Sequence, residues 1–320
     1  ADQIQYFKVT QYFFFKQWTE LKNYANQKGI QIIGDMPIYV AADSVEVWTK
    51  PELFQLDEER NPLFVAGVPA DQFSATGQLW GNPLYAWEEH KKQGYAWWIH
   101  RIEESFKIYD VLRIDHFKGF SDYWQVDGKA EVAKDGSWQP GPGYDLFKAV
   151  KEQLGDLPII AEDLGNIDDK ARKLLTDCNY PGMKILQFGF EDVSGESLDS
   201  PHYCIPHSIV YTGTHDNDVT NGWYNSLTEQ QQQYINDYTH RHEDESICQA
   251  MIRQLFATVS NTAIATMQDV LDLPASSRMN VPSTIGGNWQ WRMQQSDLTQ
   301  DKKDFLEKMT TLYQRANQEK

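Results

Sequence analysis

The chain has 320 residues, a length that suits one large α/β domain or two ordinary ones. Hydrophobic residues make up 41% of it and charged residues 23%, which is a globular composition and excludes a disordered or fibrous protein. With 29 Lys and Arg against 46 Asp and Glu, the net charge is −17. This charge argues against nucleic acid and anionic membrane surfaces as partners, and it favours a neutral or cationic ligand.

The cysteine content and the hydropathy pattern predict a cytoplasmic protein. No two of Cys178, Cys204 and Cys248 have metal-ligand or redox spacing, so we expect reduced thiols. No apolar run reaches the ~18 residues of a membrane span, and the N-terminus shows no signal-peptide pattern. The chain lacks an initiator Met and enters a helix almost at once, so we expect its start to be a cut rather than a natural one.

The first elements in chain order are a helix, a strand and a long excursion. Apolar residues recur at helical spacing over residues 7–28, with Gly29 as the expected C-cap. A short apolar strand is predicted within residues 30–40, and Asp35 stands where its first apolar run ends. Residues 40–86 are rich in Pro, Gly, Asn and aromatic residues. We predict that they form an ordered inserted subdomain over the active site, because long loops in compact domains are usually functional.

The remaining chain alternates between helices and strands. Helices are predicted over residues 87–108, 143–155, 168–178, 228–257 and 303–315. Strands are predicted over residues 109–115, 158–165, 183–190, 207–218 and 262–273. Residues between 121 and 142 are expected to be a polar connection. Six strands that alternate with helices indicate parallel pairing with crossover helices. The predicted fold class is therefore α/β, with one (β/α)-barrel catalytic domain over residues 1–320.

Polar side chains stand at the end of each predicted strand. They are Asp35, Asp115, Glu162, Asp163, Gln187, His215, Asp216, Gln268 and Asp269. One such carboxylate is readily explained as a turn or helix cap. In a (β/α)₈ barrel, however, all these strand ends lie on the face that carries the active site. Several carboxylates that converge there repel one another. Such an unfavourable arrangement is typical of functional sites, which favours a catalytic interpretation.

Asp115, Glu162 and Asp216 follow three different predicted strands and suit glycoside chemistry, which needs a nucleophile or base and an acid. Arg113 lies on the same side of its strand as Asp115, so it could keep that carboxylate ionised. The apolar approach at 158–161 could raise the pKa of Glu162, as an acid/base requires. The sequence "DND" at 216–218 lacks the remainder of a calcium loop, so no metal is predicted.

These residues carry a resemblance to a known family. "RIDHF" at 113–117, "IIAEDLG" at 159–165 and "TGTHDND" at 212–218 resemble the three catalytic blocks of the amylomaltases, the 4-α-glucanotransferase (disproportionating enzyme) family of glycoside hydrolases. "GDMPIYVA" at 34–41, "GVPADQFSATGQLWGNPLY" at 67–85, "QDVL" at 268–271 and "RMNVPSTIGGNW" at 278–289 are similar to further blocks of that family in the same order. The likeness covers nearly the whole chain.

The resemblance implies roles for particular residues. Asp115 would be the nucleophile, Glu162 the general acid/base and Asp216 a stabiliser of the transition state. The implied substrate-binding residues are Arg113 and His215 at the cleavage point, Asp71, Gln78, Trp80 and Asn82 on a loop over the glucan, and Asn288 and Trp289 on the acceptor side. Asp35 is grouped with these substrate-binding residues, and a structural role as a loop cap is the alternative interpretation. The family has a TIM (β/α)₈ barrel with insertions, retains anomeric configuration through a covalent glucosyl-enzyme, and needs no metal or cofactor.

The chain departs from the family pattern in two places. Ser283 stands where the family has Gly in a Pro-Gly-Thr turn, and a Gly-only backbone angle there would cost ~1 kcal/mol or more. Six strands are counted where a closed barrel has eight, and the family's first two strands precede its counterpart of the opening helix. We therefore expect a barrel that lacks its first two strands in this chain.

The resulting prediction is a cytoplasmic 4-α-glucanotransferase. It would cleave an α-1,4 bond of a maltodextrin and transfer the glucan segment to the 4-hydroxyl of another glucan or of glucose. Two alternatives stay open at this point: a retaining hydrolase of the α-amylase type, with water as acceptor, and a non-catalytic glucan-binding remnant. The expected partners are maltodextrin and acceptor sugars, without nucleic acid or membrane, and the oligomeric state is left open.

Overall fold

The computed structural model describes residues 2–70, 76–165 and 167–316. It divides the chain into two compact units, Ala1–Pro181 and Gly182–Lys320. Both units are mixed α/β, and each contains a three-stranded parallel sheet. No sheet among the described residues closes into a barrel.

The first unit begins with the predicted helix and contains two sheets. Its helices are α1 Asp2–Gln27, α2 Val45–Thr49, α3 Trp87–Lys92, α4 Ala96–Ile108, α5 Tyr144–Leu154 and α6 Asp169–Cys178. Its strands are β1 Ile33–Met36, β2 Phe64–Val68, β3 Gln78–Pro83, β4 Val111–Ile114, β5 Asp122–Asp127, β6 Ser137–Pro140 and β7 Ile159–Ala161. The parallel sheet has the order β1-β4-β7, and an antiparallel sheet has the order β3-β2-β5-β6.

The second unit repeats the pattern of parallel strands and helices. Its strands are β8 Gly182–Ile185, β9 Ser208–Tyr211 and β10 Thr262–Ile264, in the order β10-β9-β8. Its helices are α7 Leu186–Glu191, α8 Thr220–Ser226, α9 Glu229–Thr239, α10 Ile247–Ala257, α11 Met267–Val270 and α12 Gln300–Leu312. Helices α9 and α10 both start with a capping box, Thr228 with Gln231 and Ser246 with Gln249.

Each unit has its own hydrophobic core. In the first, Trp98, Phe117, Phe120 and Phe147 are almost completely buried, and their rings are in contact. In the second, Leu186, Val210, Trp223, Met251 and Leu255 form a buried cluster. Phe117 and Phe120 lie within the five residues after Asp115, so the core of the first unit anchors the segment that leaves strand β4.

Helix α1 is attached to the first unit through its C-terminal half. Trp18 Nε1 donates to the Ile108 carbonyl at 2.8 Å, and Lys22 Nζ donates to the Tyr109 carbonyl at 2.9 Å. No residue of α1 is fully buried, and a run of aromatic residues at positions 12–15 is exposed. Within the described part of the unit, α1 therefore packs only some of its apolar residues against other elements.

The structure corrects several details of the sequence-based assignment. The strand predicted over 183–190 ends at Ile185 and continues as helix α7, and the strand predicted over 262–273 stops at Ile264 before helix α11. The expected polar connection between 121 and 142 contains strands β5 and β6. Asp35 lies inside strand β1 rather than at its end. Short apolar runs do not distinguish a buried strand from a buried helix, which explains the first two differences.

Candidate active site

Arg113 joins the carboxylates of Asp35, which lies inside strand β1, and Asp115, which follows strand β4. Strands β1 and β4 pair in parallel with Asp35 opposite Arg113. The Arg113 Nη1 atom donates to both oxygens of Asp35 at 2.7 and 2.8 Å and to Oδ1 of Asp115 at 3.0 Å. The Arg113 side chain is 9% exposed, whereas both carboxylates are 41% exposed. The predicted contact between Arg113 and Asp115 is confirmed, and Asp35 is a second partner of the same guanidinium.

Glu162 follows strand β7, which is the neighbour of β4 in the sheet. The backbone N–H groups of His116 and Leu164 donate to its two carboxyl oxygens at 2.8 and 2.7 Å. Burial of the carboxyl group and the negative charge of Asp115 raise the pKa of Glu162 to about 7, although the positive charge of Arg113 and the two N–H donors oppose this shift. The predicted direction of this pKa shift is confirmed.

His116 connects the two carboxylate-bearing loops through its backbone. It adopts a left-handed conformation with φ 50°, which turns its N–H towards Glu162. Burial lowers the pKa of the imidazole to about 4, although the charge of Asp115 opposes this shift, so the ring is neutral at pH 7. Its ring stands edge-on to Trp80, with 4.8 Å between centroids.

Three of the predicted substrate-binding residues, Gln78, Trp80 and Asn82, lie on strand β3. Trp80 is 37% exposed, and its indole N–H donates to the Gln78 side chain at 3.3 Å. The Asn82 amide donates to the Val40 carbonyl at 3.0 Å. Trp80 therefore presents a partly open indole next to His116, whereas Asn82 ties the strand to the loop after β1. Asp71, predicted for the same loop, lies outside the described residues.

Asp216 is held by the loop after strand β9 and by residues near position 280, all in the second unit. The Asn280 Nδ2 atom donates to Oδ1 of Asp216 at 2.6 Å, and the Arg278 guanidinium donates to the Asp216 carbonyl at 2.6 Å. The His215 Nε2 atom lies 3.4 Å from Oδ2 of Asp216. Both carboxyl oxygens of Asp216 therefore have a neighbouring polar group.

Asn288 and Trp289 lie in the same loop. The side chain of Asn288 accepts from the Val281 N–H at 3.0 Å and donates to the Thr284 hydroxyl at 3.1 Å, so the amide stabilises the loop itself. Trp289 is 55% exposed, and its ring centroid lies 5.1 Å from that of His215. Of these two residues predicted for the acceptor side, Trp289 has the more open side chain.

Arg278 and Asn280 were not among the site residues predicted from the sequence. Both belong to the quoted block at 278–289, but they are far from Asp216 along the chain. The only indication in the sequence that they could be site residues was that they are two polar side chains in a loop rich in Gly and Pro. His116 was also not among the predicted site residues, because its contribution to Glu162 comes from the backbone.

In the described ranges, three potential metal ligands come together only at His100, Glu103 and Glu104, on the surface of helix α4. This group is separate from the carboxylates described above. Within the same ranges, none of the helices combines the length and apolar character needed to cross a membrane.

The first unit thus brings together an arginine-paired carboxylate and a carboxyl group that titrates near neutrality. Two carboxyl groups with different environments are what acid-assisted nucleophilic substitution at a glycosidic carbon requires. The fold and the site thus define an α/β protein with two carboxyl groups held in different electrostatic environments.

Comparison with known proteins identifies the family. The 4-alpha-glucanotransferase family model matches residues 1–299, and the chain belongs to this family. The chain is 53% identical over 319 residues to the 4-alpha-glucanotransferase of Streptococcus pneumoniae serotype 4, covering 99% of this chain and 63% of the relative. It is 43% identical to the enzyme of that name from Clostridium butyricum, covering 98% and 65% of the two chains.

Solved structures agree with this assignment. The amylomaltase from Streptococcus agalactiae in complex with acarbose superposes with a TM-score of 0.97 at 60% identity, over 98% of this chain and 63% of that chain. The amylomaltase from Corynebacterium glutamicum has a TM-score of 0.69 at 16% identity, over 86% and 44%, and shows a shared fold. The chain thus spans less than two thirds of the length of these relatives.

Proposed function

We propose that the protein is a retaining 4-α-glucanotransferase that transfers α-1,4-glucan segments between maltodextrins. The observation that carries this proposal is the environment of Glu162. Its pKa is raised to about 7 next to a carboxylate, Asp115, that is paired with the nearly buried Arg113. The two carboxyl groups are thus suited to different tasks, proton donation and nucleophilic attack. Membership of the 4-alpha-glucanotransferase family supports the same conclusion.

In the proposed mechanism, an oxygen of Asp115 attacks the anomeric carbon while Glu162 donates its proton to the leaving glycosidic oxygen. The first sugar product leaves, and a β-glucosyl ester on Asp115 remains. Glu162, now a carboxylate, takes the proton of an acceptor 4-hydroxyl, which attacks the anomeric carbon and releases Asp115. Arg113 holds Asp115 for the attack. Asp216 is proposed to stabilise the positive charge that develops on the sugar ring.

The remaining site residues are proposed to bind the glucan. Trp80 and Trp289 are partly exposed indoles that can stack on sugar rings, and His215 lies beside Trp289. Asp35, Gln78 and Asn82 would contribute hydrogen bonds, and Asp71 is proposed from the resemblance alone. The amylomaltase from Streptococcus agalactiae was solved with acarbose, and this supports an oligosaccharide as ligand.

The proposal extends to the barrel and to the role of residues 40–86. We propose that the parallel strands are part of a TIM (β/α)₈-type barrel and that residues 40–86 belong to an insertion over the substrate. The superposition on an amylomaltase with a TM-score of 0.97 supports this. The cytoplasmic location remains a prediction from the sequence.

The proposal is tested by incubating the purified chain with maltotriose and separating the products. We expect glucose together with maltodextrins longer than maltotriose, and no such ladder from D115N. Glucose and maltose alone would indicate the hydrolase. If the chain binds maltodextrin without turnover, an activated fluorinated glucosyl donor with intact-mass detection decides the matter. The absence of an adduct on Asp115 would then indicate the glucan-binding remnant and contradict the proposal.

A further inference from the structure

Two ion pairs of opposite polarity connect the segments that carry the two proposed catalytic carboxyl groups. We call residues 115–122 the nucleophile segment, and residues 162–165 with 167–170 the acid/base segment. Lys118 of the nucleophile segment is paired with Asp168 of the acid/base segment. In the reverse sense, Asp122 of the nucleophile segment is paired with Lys170 at 3.2 Å.

The Lys118 side chain is enclosed. It is 11% exposed, and its ammonium group lies 4.8 Å from the centre of the Trp138 ring on strand β6. An ammonium group in such a position needs a charged or polar partner, because its removal from water is costly. Asp168 provides that partner, and the Trp138 ring covers the ammonium from another side. Lys118 is therefore held in one place rather than swinging freely at the surface.

Asp168 has two tasks. Its Oδ1 atom accepts from the Ala171 N–H at 2.9 Å and caps helix α6, while its Oδ2 atom accepts from Lys118. Partial burial would raise the pKa of this carboxyl, but the bond from Lys118 and the cap together lower it. The start of helix α6 is thus tied to the nucleophile segment.

At the other end of the acid/base segment lies Glu162. Its carboxyl group accepts from the His116 N–H at 2.8 Å, and its carbonyl accepts from the Phe117 N–H at 3.1 Å. Glu162 and Asp168 are therefore both anchored on three consecutive residues, His116 to Lys118. Phe117, in the middle, is buried in the core. The acid/base segment is fixed at both ends on the part of the chain that carries Asp115.

We infer that Lys118 is a positioning residue for the transfer reaction, because together with Asp168 it fixes the acid/base segment against the nucleophile segment. This inference rests on the proposed function. Lys118 touches neither Glu162 nor a reacting atom; it acts by holding the segment that presents Glu162. Misplacement of a reacting group by about 1 Å can cost on the order of 100-fold in rate, so a modest shift of the segment is sufficient to matter.

The test uses K118M, which keeps the length of the side chain, and D168N, which keeps a capping oxygen for helix α6 and removes the charge. We expect each to lower kcat for transfer from maltotriose by about 10- to 100-fold with KM within about twofold. K118R should recover most of the rate. The matched control is K91M, which removes an ion pair of 2.8 Å between Lys91 and Asp145, both exposed, and it should leave kcat unchanged.

A readout independent of turnover accompanies the kinetics. The backbone N–H groups of His116 and Phe117, both in the nucleophile segment, donate to the carboxyl and carbonyl groups of Glu162, so their hydrogen exchange reports whether the two segments stay together. We expect K118M and D168N to lose protection at both positions, and K91M to keep it. Retained protection, or an unchanged kcat with only a lower Tm, would overturn the inference. A wild-type chain without transfer would contradict the proposed function, and the exchange measurement would still decide the role of Lys118.

Discussion

The backbone N–H of His116 donates to Glu162 at 2.8 Å, so the residue that follows Asp115 in the chain holds the carboxyl group of Glu162. This arrangement links the position of the proposed acid/base to that of the proposed nucleophile. It also places Glu162 in the field of both Asp115 and Arg113, whose charges shift its pKa in opposite directions. The pH dependence of the reaction should report this environment directly.

Glu162 must be protonated to donate to the leaving oxygen. Since its pKa is about 7, the donor form predominates below that pH and is lost above it. We expect kcat/KM for transfer to fall about tenfold per pH unit above pH 7, and E162Q to lose this limb together with on the order of 10²- to 10⁴-fold in rate. Burial also raises the pKa of Glu191, so E191Q is the matched control and should keep the limb. A wild-type profile that is flat from pH 6 to 9 would contradict the assignment of Glu162.

Replacement of Arg113 should affect stability and activity together. R113M leaves Asp35 and Asp115 without their shared cation, and because both are 41% exposed the loss should be smaller than for a fully buried pair. We expect about 1–3 kcal/mol less free energy of unfolding in urea. Transfer should fall on the order of 100-fold. R253M breaks the ion pair with Glu245 and should lower stability without loss of transfer. Equal activity losses in both variants would show that the effect of R113M is merely structural.

Asn280 should be required for the orientation of Asp216. Its amide donates to Oδ1 of Asp216 at 2.6 Å, so N280D would place a second carboxyl group against the first. We expect N280A to lower kcat/KM for maltotriose on the order of 10-fold and N280D to lower it further, because like charges at that distance repel. N280D should recover part of the loss at low pH, where one of the two groups is protonated. A rate for N280D equal to wild type across the pH range would refute this role.

Ser283 has φ 63°, in the left-handed region that favours Gly. This left-handed conformation is less favourable for Ser than for Gly, so the cost expected from the sequence remains a prediction at this position. S283V should cost about 1–2 kcal/mol of unfolding free energy, because a β-branched residue is strongly disfavoured there. S283G should stay within about 0.5 kcal/mol of wild type, since relief of strain is offset by a more flexible unfolded chain. S137V, on strand β6, should be neutral or stabilising. If S283V unfolds like S137V, the turn is not strained.

The parallel strands were predictable in position because short apolar runs mark them, as Val111–Ile114 does before Asp115, but the predicted ends of β8 and β10 were wrong. Strands β5 and β6 were not predictable, since their pairing partners are set by tertiary packing rather than by a local pattern. The pairing of Arg113 with Asp115 followed from their spacing along one strand. That Asp35 shares the same guanidinium depends on the register between β1 and β4.

The contacts of Asp216 could likewise not be predicted from the local sequence. Asn280 is 64 residues away along the chain, and nothing in its local sequence indicates which backbone or carboxylate it approaches. The raised pKa of Glu162 was predictable in direction from the apolar residues before it. The contribution of Asp115 and the opposing N–H donors of His116 and Leu164 required coordinates.

The two ion pairs between the nucleophile and acid/base segments have a consequence for folding specificity. Lys118 faces Asp168, and Asp122 faces Lys170. If the segments met in the exchanged arrangement, Lys118 would face Lys170 and Asp122 would face Asp168, and both contacts would be repulsive. The alternating charges therefore select one relative alignment of the segments and disfavour the exchanged one.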